Sequence, residues 1–408
     1  MSCKQKNLVV VTASAGEIEW LLPIINESKK YDFTNDYLFI SKAVSLSISS
    51  NSSVSEYMRR QVLSGSSIYK SDSYLFIKSL NKLLRLGRIC DKFRVRCKFF
   101  NVVSGYFIKT MLHFLNINLK EYTNIFVEFG WLDSGRFAAL RSVVDARIVL
   151  FPHSPHIYIS ADGVDNDHGK VKGGNANHES FLLKGMSVDS LGDRADRTIS
   201  EFFIREILCG HPKYLELLTR DEPRKHNKQI AIFSRGVGSY LSEDDYLNII
   251  DNLTEVLSKF SQRGYIVKIK KHPRERSLHW DAKIGGIAGF EVVSESVSEL
   301  AQTSACVIGV WTSAAIDCYF SRTPFIEYYD PNKNPISQLS LGGGYTTVYR
   351  YLNMVTPADT KSQLEEEILL LEKSNFKVSK SDNNLYVNEI ISNTLKFKDS
   401  IKPIWRRV

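Results

Sequence analysis

The sequence predicts an α/β protein of two Rossmann-like domains facing a central cleft. Two series of alternating apolar runs and helical patterns carry that expectation, separated by the charged stretch Asp221-Glu222-Pro223-Arg224-Lys225-His226. A third observation is that the polar motifs follow apolar runs, at strand carboxyl ends, where open α/β sheets bind ligands. In the first series residues 8–11 read as a strand, and Thr12-Ala13-Ser14-Ala15-Gly16-Glu17 turns into a helix carrying Ile18, Leu21, Leu22, Ile24 and Ile25. Residues 37–40 read as a second strand. The serine-rich stretch 41–73 lacks a clear period and reads as a long loop or an acceptor-facing insertion. A helix is expected over 79–86, and strands over 99–103, 124–129 and 146–151. A glycine-, aspartate- and asparagine-rich loop covers 160–177, followed by a short strand at 181–186 and a helix over 196–208.

The second series begins with a strand at 229–233 and a helix over 243–262. Strands at 265–269, 306–310 and 324–328 follow, with helices over 297–303 and 313–320. A glycine loop covers 341–345, and a long helix over 360–374 is expected to pack back across the linker. The divisions are 1–220, an acceptor-binding domain; 221–380, a nucleotide-sugar-binding domain; and 381–408, a segment crossing back to the first.

Composition narrows the class. The 408 residues suffice for two cores, and 43% hydrophobic with 24% charged residues is ordinary for a globular chain. No apolar run approaches the roughly 20 residues of a spanning helix. The short apolar run after Asn7 is not a signal-peptide layout, so a cytoplasmic location is expected. Six cysteines without a CxxC pair read as reduced thiols rather than a zinc site. The net charge of +8 concentrates between Lys82 and Lys98 and in the tail around Trp405-Arg406-Arg407. Such clusters suit an anionic membrane surface or a solvated basic face; no nucleic-acid motif accompanies them. Docking on the inner face of the cell membrane is the expectation, with Trp405 as an interfacial anchor.

Four constellations carry the chemistry. His272-Pro273 follows a strand, flanked by Lys270, Lys271 and Arg274, and a histidine there can donate to a phosphate oxygen. An exposed basic turn is the plainer alternative. Ser234-Arg235-Gly236-Val237-Gly238-Ser239 suits a phosphate loop or an ordinary tight turn, without a Walker ending. Thr312 and Ser313 open a helix, where they can hold a phosphate or simply cap. Glu17 is a candidate base or a complement to the helix dipole, and Glu128 stands on an otherwise apolar strand, as a base or an arginine's partner. His153 and His156 flank another strand end as candidate acceptor contacts. Asp162, Asp165 and Asp167 lack the glutamate that closes a calcium loop, so no metal is expected, and no cofactor.

These pieces resemble GT-B glycosyltransferases of bacterial surface-polysaccharide assembly over nearly the whole chain. Ala13-Ser14-Ala15-Gly16-Glu17 is similar to the Ser-x-Gly-Glu turn of lipid A Kdo transferases, which implies Glu17 as catalytic base. Lys271-His272-Pro273 with Thr312-Ser313 is similar to the HP and serine motifs of sialyltransferases and capsule Kdo transferases, which implies that they hold a CMP phosphate. Glu128-Phe129-Gly130 resembles their acidic-acidic-glycine motif with Phe129 in place of the second acid. Gly210-His211-Pro212-Lys213 resembles an interdomain element of polyol-phosphate transferases and UDP-sugar 2-epimerases. The resemblance implies transfer of a sugar, Kdo or another nonulosonic acid, from a CMP donor to a lipid-linked glycan. Ser234, Arg235, Gly236, Lys271, His272, Pro273, Thr312 and Ser313 would then line the nucleotide. Alternatives are a CDP-polyol phosphotransferase, a UDP-sugar 2-epimerase-like enzyme and a non-catalytic scaffold.

Overall fold

The computed structural model describes residues 5–12, 14–70, 98–128, 140, 144–151, 185–189, 204–219, 228–237, 241–272, 275, 277–310, 312–330, 339–341, 344–351, 353–376 and 385–405. The chain divides into two units. The first comprises Met1–Pro155, Lys170–Lys213 and Glu389–Val408; the second comprises His156–Gly169 and Tyr214–Asn388. Each holds its own parallel sheet.

In the first unit the strands are β1 (Gln5–Val11), β2 (Phe33–Phe39), β3 (Ile68–Lys70), β4 (Tyr122–Glu128), β5 (Arg147–Phe151), β6 (Gly185–Asp189) and β7 (Ile204–Leu208). Their spatial order is β3-β2-β1-β4-β5-β6-β7. Pairing is parallel as far as β5, while β6 and β7 are antiparallel. The winding therefore reverses between β1 and β4. A buried asparagine ladder fixes the register across the middle: Asn124 donates to Asn7 at 2.9 Å and Asn7 to Asn35 at 2.8 Å. A one-residue slip would strand these amides in the core, so register is specified beyond the apolar pattern.

Helices α1 (Ala15–Ser28), α2 (Lys42–Ser49), α3 (Ser52–Leu63) and α4 (Lys98–Phe114) belong to this unit. The stretch expected to be a loop after residue 41 forms α2, α3 and β3. Ser41 caps α2 by accepting from the Val44 amide, and Asn51 caps α3 through Val54. Their buried pairs Val44/Ile48 and Val54/Met58 stand one helical turn apart. Residues 99–103, expected as a strand, begin α4, whose Ile108 and Leu112 enter the core beside Leu8, Ile125 and Ile148. The β-propensity of that run yields to helical packing. Part of the helix expected over 196–208 is instead β7.

The second unit contains β8 (Gln229–Phe233), β9 (Ile266–Lys270), β10 (Phe290–Val292), β11 (Cys306–Gly309), β12 (Phe325–Tyr328) and β15 (Thr356–Ala358), ordered β10-β9-β8-β11-β12-β15 and parallel throughout. A hairpin of β13 (Leu339–Leu341) and β14 (Gly344–Thr346) stands apart from it. The helices are α5 (Leu215–Thr219), α6 (Glu243–Ser261), α7 (His279–Ile284), α8 (Val297–Thr303), α9 (Ala314–Phe320), α10 (Val348–Tyr351) and α11 (Lys361–Lys373). Helix α6 buries Ile250, Leu253, Leu257 and Phe260 on the sheet, a face at helical spacing. Helix α11 packs on this same unit rather than back across a linker, because Leu364 and Ile368 lie in its core.

The last helices are α12 (Leu385–Leu395) and α13 (Phe397–Trp405). Trp405, expected as a membrane anchor, is 4% exposed and packs its ring against Tyr31, Phe33 and Phe126. An indole buried in a core has no face to offer a bilayer. Arg147 donates to the Ile404 carbonyl at 2.8 Å and holds the same end. Among the described residues no helix is long and apolar enough to cross a membrane.

Candidate functional site

Parallel sheets wound in two directions leave a crevice where the direction switches. In the second unit the switch lies between β8 and β11. Phe233 pairs with Lys270 of β9 and with Gly309 of β11, and Gly309 with Glu327 of β12, so these four residues form one row. Just beyond that row, Ser234-Arg235-Gly236, Lys271-His272 and Thr312-Ser313 stand on three neighbouring strand ends. The Ser234 amide donates to the Lys270 carbonyl at 3.0 Å, fastening two of these ends.

The residue that organises them is Glu275. One carboxylate oxygen accepts from Ser234 at 2.7 Å and from the His272 amide at 3.3 Å, and the other accepts from Tyr246. Its own amide donates to the His272 carbonyl at 2.8 Å, closing the turn. Trp280 donates to Ser234 at 2.9 Å. Burial, and then the bond to Glu275, push the Tyr246 phenol well up, so it remains a neutral donor. Gly236 crosses above with φ +76°, and a Cβ there would meet Glu275 Cγ at 3.0 Å. Only glycine adopts that conformation without strain.

This geometry assigns different tasks to the sequence candidates. The Ser234 hydroxyl is occupied inside the network. The Lys271 ammonium binds the Ser277 carbonyl at 2.8 Å and Asp281 at 2.9 Å, which holds the Asp281 carboxyl below its usual range. Arg235 and His272 are half-buried at the rim. Thr312 rather than Ser313 accepts from the first α9 amide, at 3.3 Å, and the Ser313 side chain makes no capping bond. Pro273 and Arg274 lie outside the described residues.

At the end of this row, Glu327 is wholly buried near the end of β12. It accepts from Thr347 and from Arg350 Nε, each at 2.7 Å. Arg350 also reaches Asp359 at 2.6 Å and two backbone carbonyls. Burial pushes the Glu327 carboxyl up against the opposing pull of Arg350. A carboxylate in the apolar run Phe325-Ile326-Glu327-Tyr328 is the same signal that singled out Glu128, and it was legible here too. Glu275 gave no comparable signal.

In the first unit the switch lies between β1 and β4; Glu17 stands in the first turn of α1, just after β1, and Glu128 on β4. Both Glu17 oxygens accept from Thr12, from its amide at 2.8 Å and its hydroxyl at 3.0 Å. Glu17 is fully buried and ties the strand-to-helix turn to itself. Glu128 ends β4 and is only half-buried. His211, in the Gly-His-Pro-Lys element, is buried and accepts from Trp20 at 3.2 Å, while its amide donates to Thr394 at 2.9 Å. Phe129, Gly130, His153, His156 and the Asp162–Asp167 loop lie outside the described residues. Among the described residues no group of three or more histidine, cysteine, aspartate or glutamate side chains is placed to hold a metal.

No protein-family model matches the chain, and no curated protein matches it. Solved structures resemble it. The glycotransferase of kitacinnamycin shares 12% identity, with 98% of each chain covered and a TM-score of 0.48. UDP-GlcNAc 2-epimerase from Methanocaldococcus jannaschii shares 11%, covering 98% of this chain and 99% of its own, with a TM-score of 0.48. A glycosyltransferase from Rickettsia africae shares 12%, covering 98% and 99%, with a TM-score of 0.44.

Proposed function

We propose that the protein is a glycosyltransferase whose second unit holds a nucleotide-activated sugar, a CMP-linked nonulosonic acid such as Kdo being the favoured donor. The observation that carries this reading is the alignment of Ser234–Gly236, Lys271-His272 and Thr312-Ser313 on adjacent strand ends at the switch of a parallel sheet. In the reaction the bond from the anomeric carbon to the phosphate oxygen breaks, and its electron pair stays on the phosphate. His272, Arg235 and the hydroxyls of Thr312 and Ser313 stabilise that charge. The acceptor oxygen bonds to the anomeric carbon, and its proton passes to a carboxylate base. Glu17, whose oxygens both accept from Thr12, and Glu128, half-buried at the end of β4, are our candidates for that base. The acceptor is a glycan or glycolipid, and the basic segment 82–98 is our candidate contact with an anionic cytoplasmic membrane surface.

Thermal-shift titration with CMP, CDP, UDP and GDP tests the reading. CMP should stabilise most, and His272→Ala should lose roughly 2–4 kcal/mol of transition-state stabilisation in transfer assays, as when one preorganised donor is removed. Stabilisation by CDP alone would favour polyol-phosphate transfer, and by UDP alone an epimerase. Stabilisation by none would leave a non-catalytic scaffold.

A further inference from the structure

At the opposite, amino-terminal edge of the first unit's sheet lies a groove of about 1120 Å³. Its floor is the start of three neighbouring strands: Gln5 of β1, Thr123 of β4 and Ala146 just before β5. Two strand spacings make this floor about 10 Å wide. The end of α4 and the turn after it form the wall, bringing Lys109, His113, Asn116 and Lys120 to the same opening.

Lysines usually find a carboxylate or lie in open solvent. Nearby Lys6 does the former, pairing with Glu121 at 2.9 Å. Lys109, His113 and Lys120 are exposed and have no ion-pair or hydrogen-bond partner for their side chains among the described residues, and all three line one concavity. Among the described lining residues, Asp145 supplies the one carboxylate. The side chains of Gln5, Asn116 and Thr123 are likewise uncommitted.

We propose that this groove binds an anionic oligosaccharide, with its acidic groups on Lys109 and Lys120 and its hydroxyls on Gln5, Asn116 and Thr123. The volume exceeds what a lone phosphate fills and matches a ligand of several rings. Single-stranded nucleic acid calls for exposed aromatic faces. The phenol ring in the described lining, Tyr122, is buried with its hydroxyl on Asp36 at 2.9 Å, which leaves His113 as the exposed ring there. A bilayer calls for a convex apolar face rather than a polar hollow. The inference rests on the groove alone and stands apart from the nucleotide site.

The test is calorimetric titration of the full chain with tetragalacturonate, with maltotetraose as the neutral control. Tetragalacturonate should bind saturably, maltotetraose at least tenfold more weakly. The Lys109→Ala/Lys120→Ala double variant should lose at least tenfold in affinity while keeping its melting curve and its thermal shift with nucleotides. Asn116→Ala should lose a smaller factor. Equal affinity in the double variant, equal affinity for maltotetraose or absence of saturable binding would overturn the proposal. So would binding confined to vesicles of one-third phosphatidylglycerol, or to oligouridylate. The nucleotide titration run alongside keeps failure here distinct from failure of the transferase reading.

Discussion

Replacing Glu275 by alanine removes the acceptor shared by Ser234, Tyr246 and the His272 amide. Ser234 retains Trp280 as donor and Tyr246 as partner, so the loss falls on the His272 turn and on one hydroxyl proton. A hydrogen bond to a charged acceptor contributes about 1.5–3 kcal/mol, and an orphaned buried donor costs about as much. Bonds sharing one carboxylate do not add, so the expected loss is about 2–4 kcal/mol in total. In a unit of this size each kcal/mol moves Tm by about 2–4 °C, which makes the shift roughly 4–16 °C. Glu275→Gln preserves the shape: its amide oxygen still accepts from Ser234 and the His272 amide, and the Tyr246 hydroxyl turns to accept from its Nε2, so it should lose less than half as much. Calorimetric melting combined with nucleotide titration reads both effects. If the alanine variant melts within about 1 °C of wild type, far inside the expected shift, and binds nucleotide equally well, Glu275 does not hold the two strand ends together.

Three further outcomes are expected. Trp405→Ala empties a site enclosed by three aromatic rings and should cost about 3–5 kcal/mol in urea unfolding; a loss below about 1 kcal/mol would mean the ring is dispensable there. Gly210→Ala places a methyl 2.4 Å from Thr394 Oγ1 and 2.6 Å from the Ile390 carbonyl at a φ of +55°. It should cost about 2–4 kcal/mol, and an unchanged unfolding midpoint would contradict that packing. Burial pushes the Tyr57 phenol up to about 12, whereas an unfolded tyrosine ionises near 10.0. The unfolded chain therefore releases protons that the folded one keeps. The contribution to stability is complete below pH 10 and is lost as pH rises toward 12. Tyr57→Phe should flatten that alkaline decline, and an unaltered slope would remove Tyr57 from it.

The second unit was the more legible half, and the reason is physical. Its central strands β8, β11 and β12 are buried on both faces and read as short apolar runs, while α6 shows a helical stripe between them. The expected helix at 297–303 coincides with α8, which a reciprocal capping box begins. The short edge strands β10 and β15 went unseen because three residues cannot show a period. In the first unit, serine diluted the apolar faces of α2 and α3, and Phe99-Phe100-Asn101-Val102-Val103 imitated a strand at the start of α4. Among the site candidates, position along the chain was enough to place three motifs at strand ends. What each side chain does there was not legible. That Lys271 turns toward Asp281 and Ser234 toward Glu275 depends on contacts between residues 10 and 41 positions apart.

The placement of α13 bears on how the chain is made. The first unit takes residues from before and after the main stretch of the second, and its core includes Ile401, Ile404 and Trp405. Domains fold as they emerge during synthesis, the earlier ones first. Here the order is inverted: the second unit has all its residues before the first receives its last helix. Until translation reaches Trp405, the rings of Phe33 and Phe126 lack the partner that covers them. A nascent chain that stalls before Trp405 would therefore leave the aromatic surface of Phe33 and Phe126 open to chaperones and proteases.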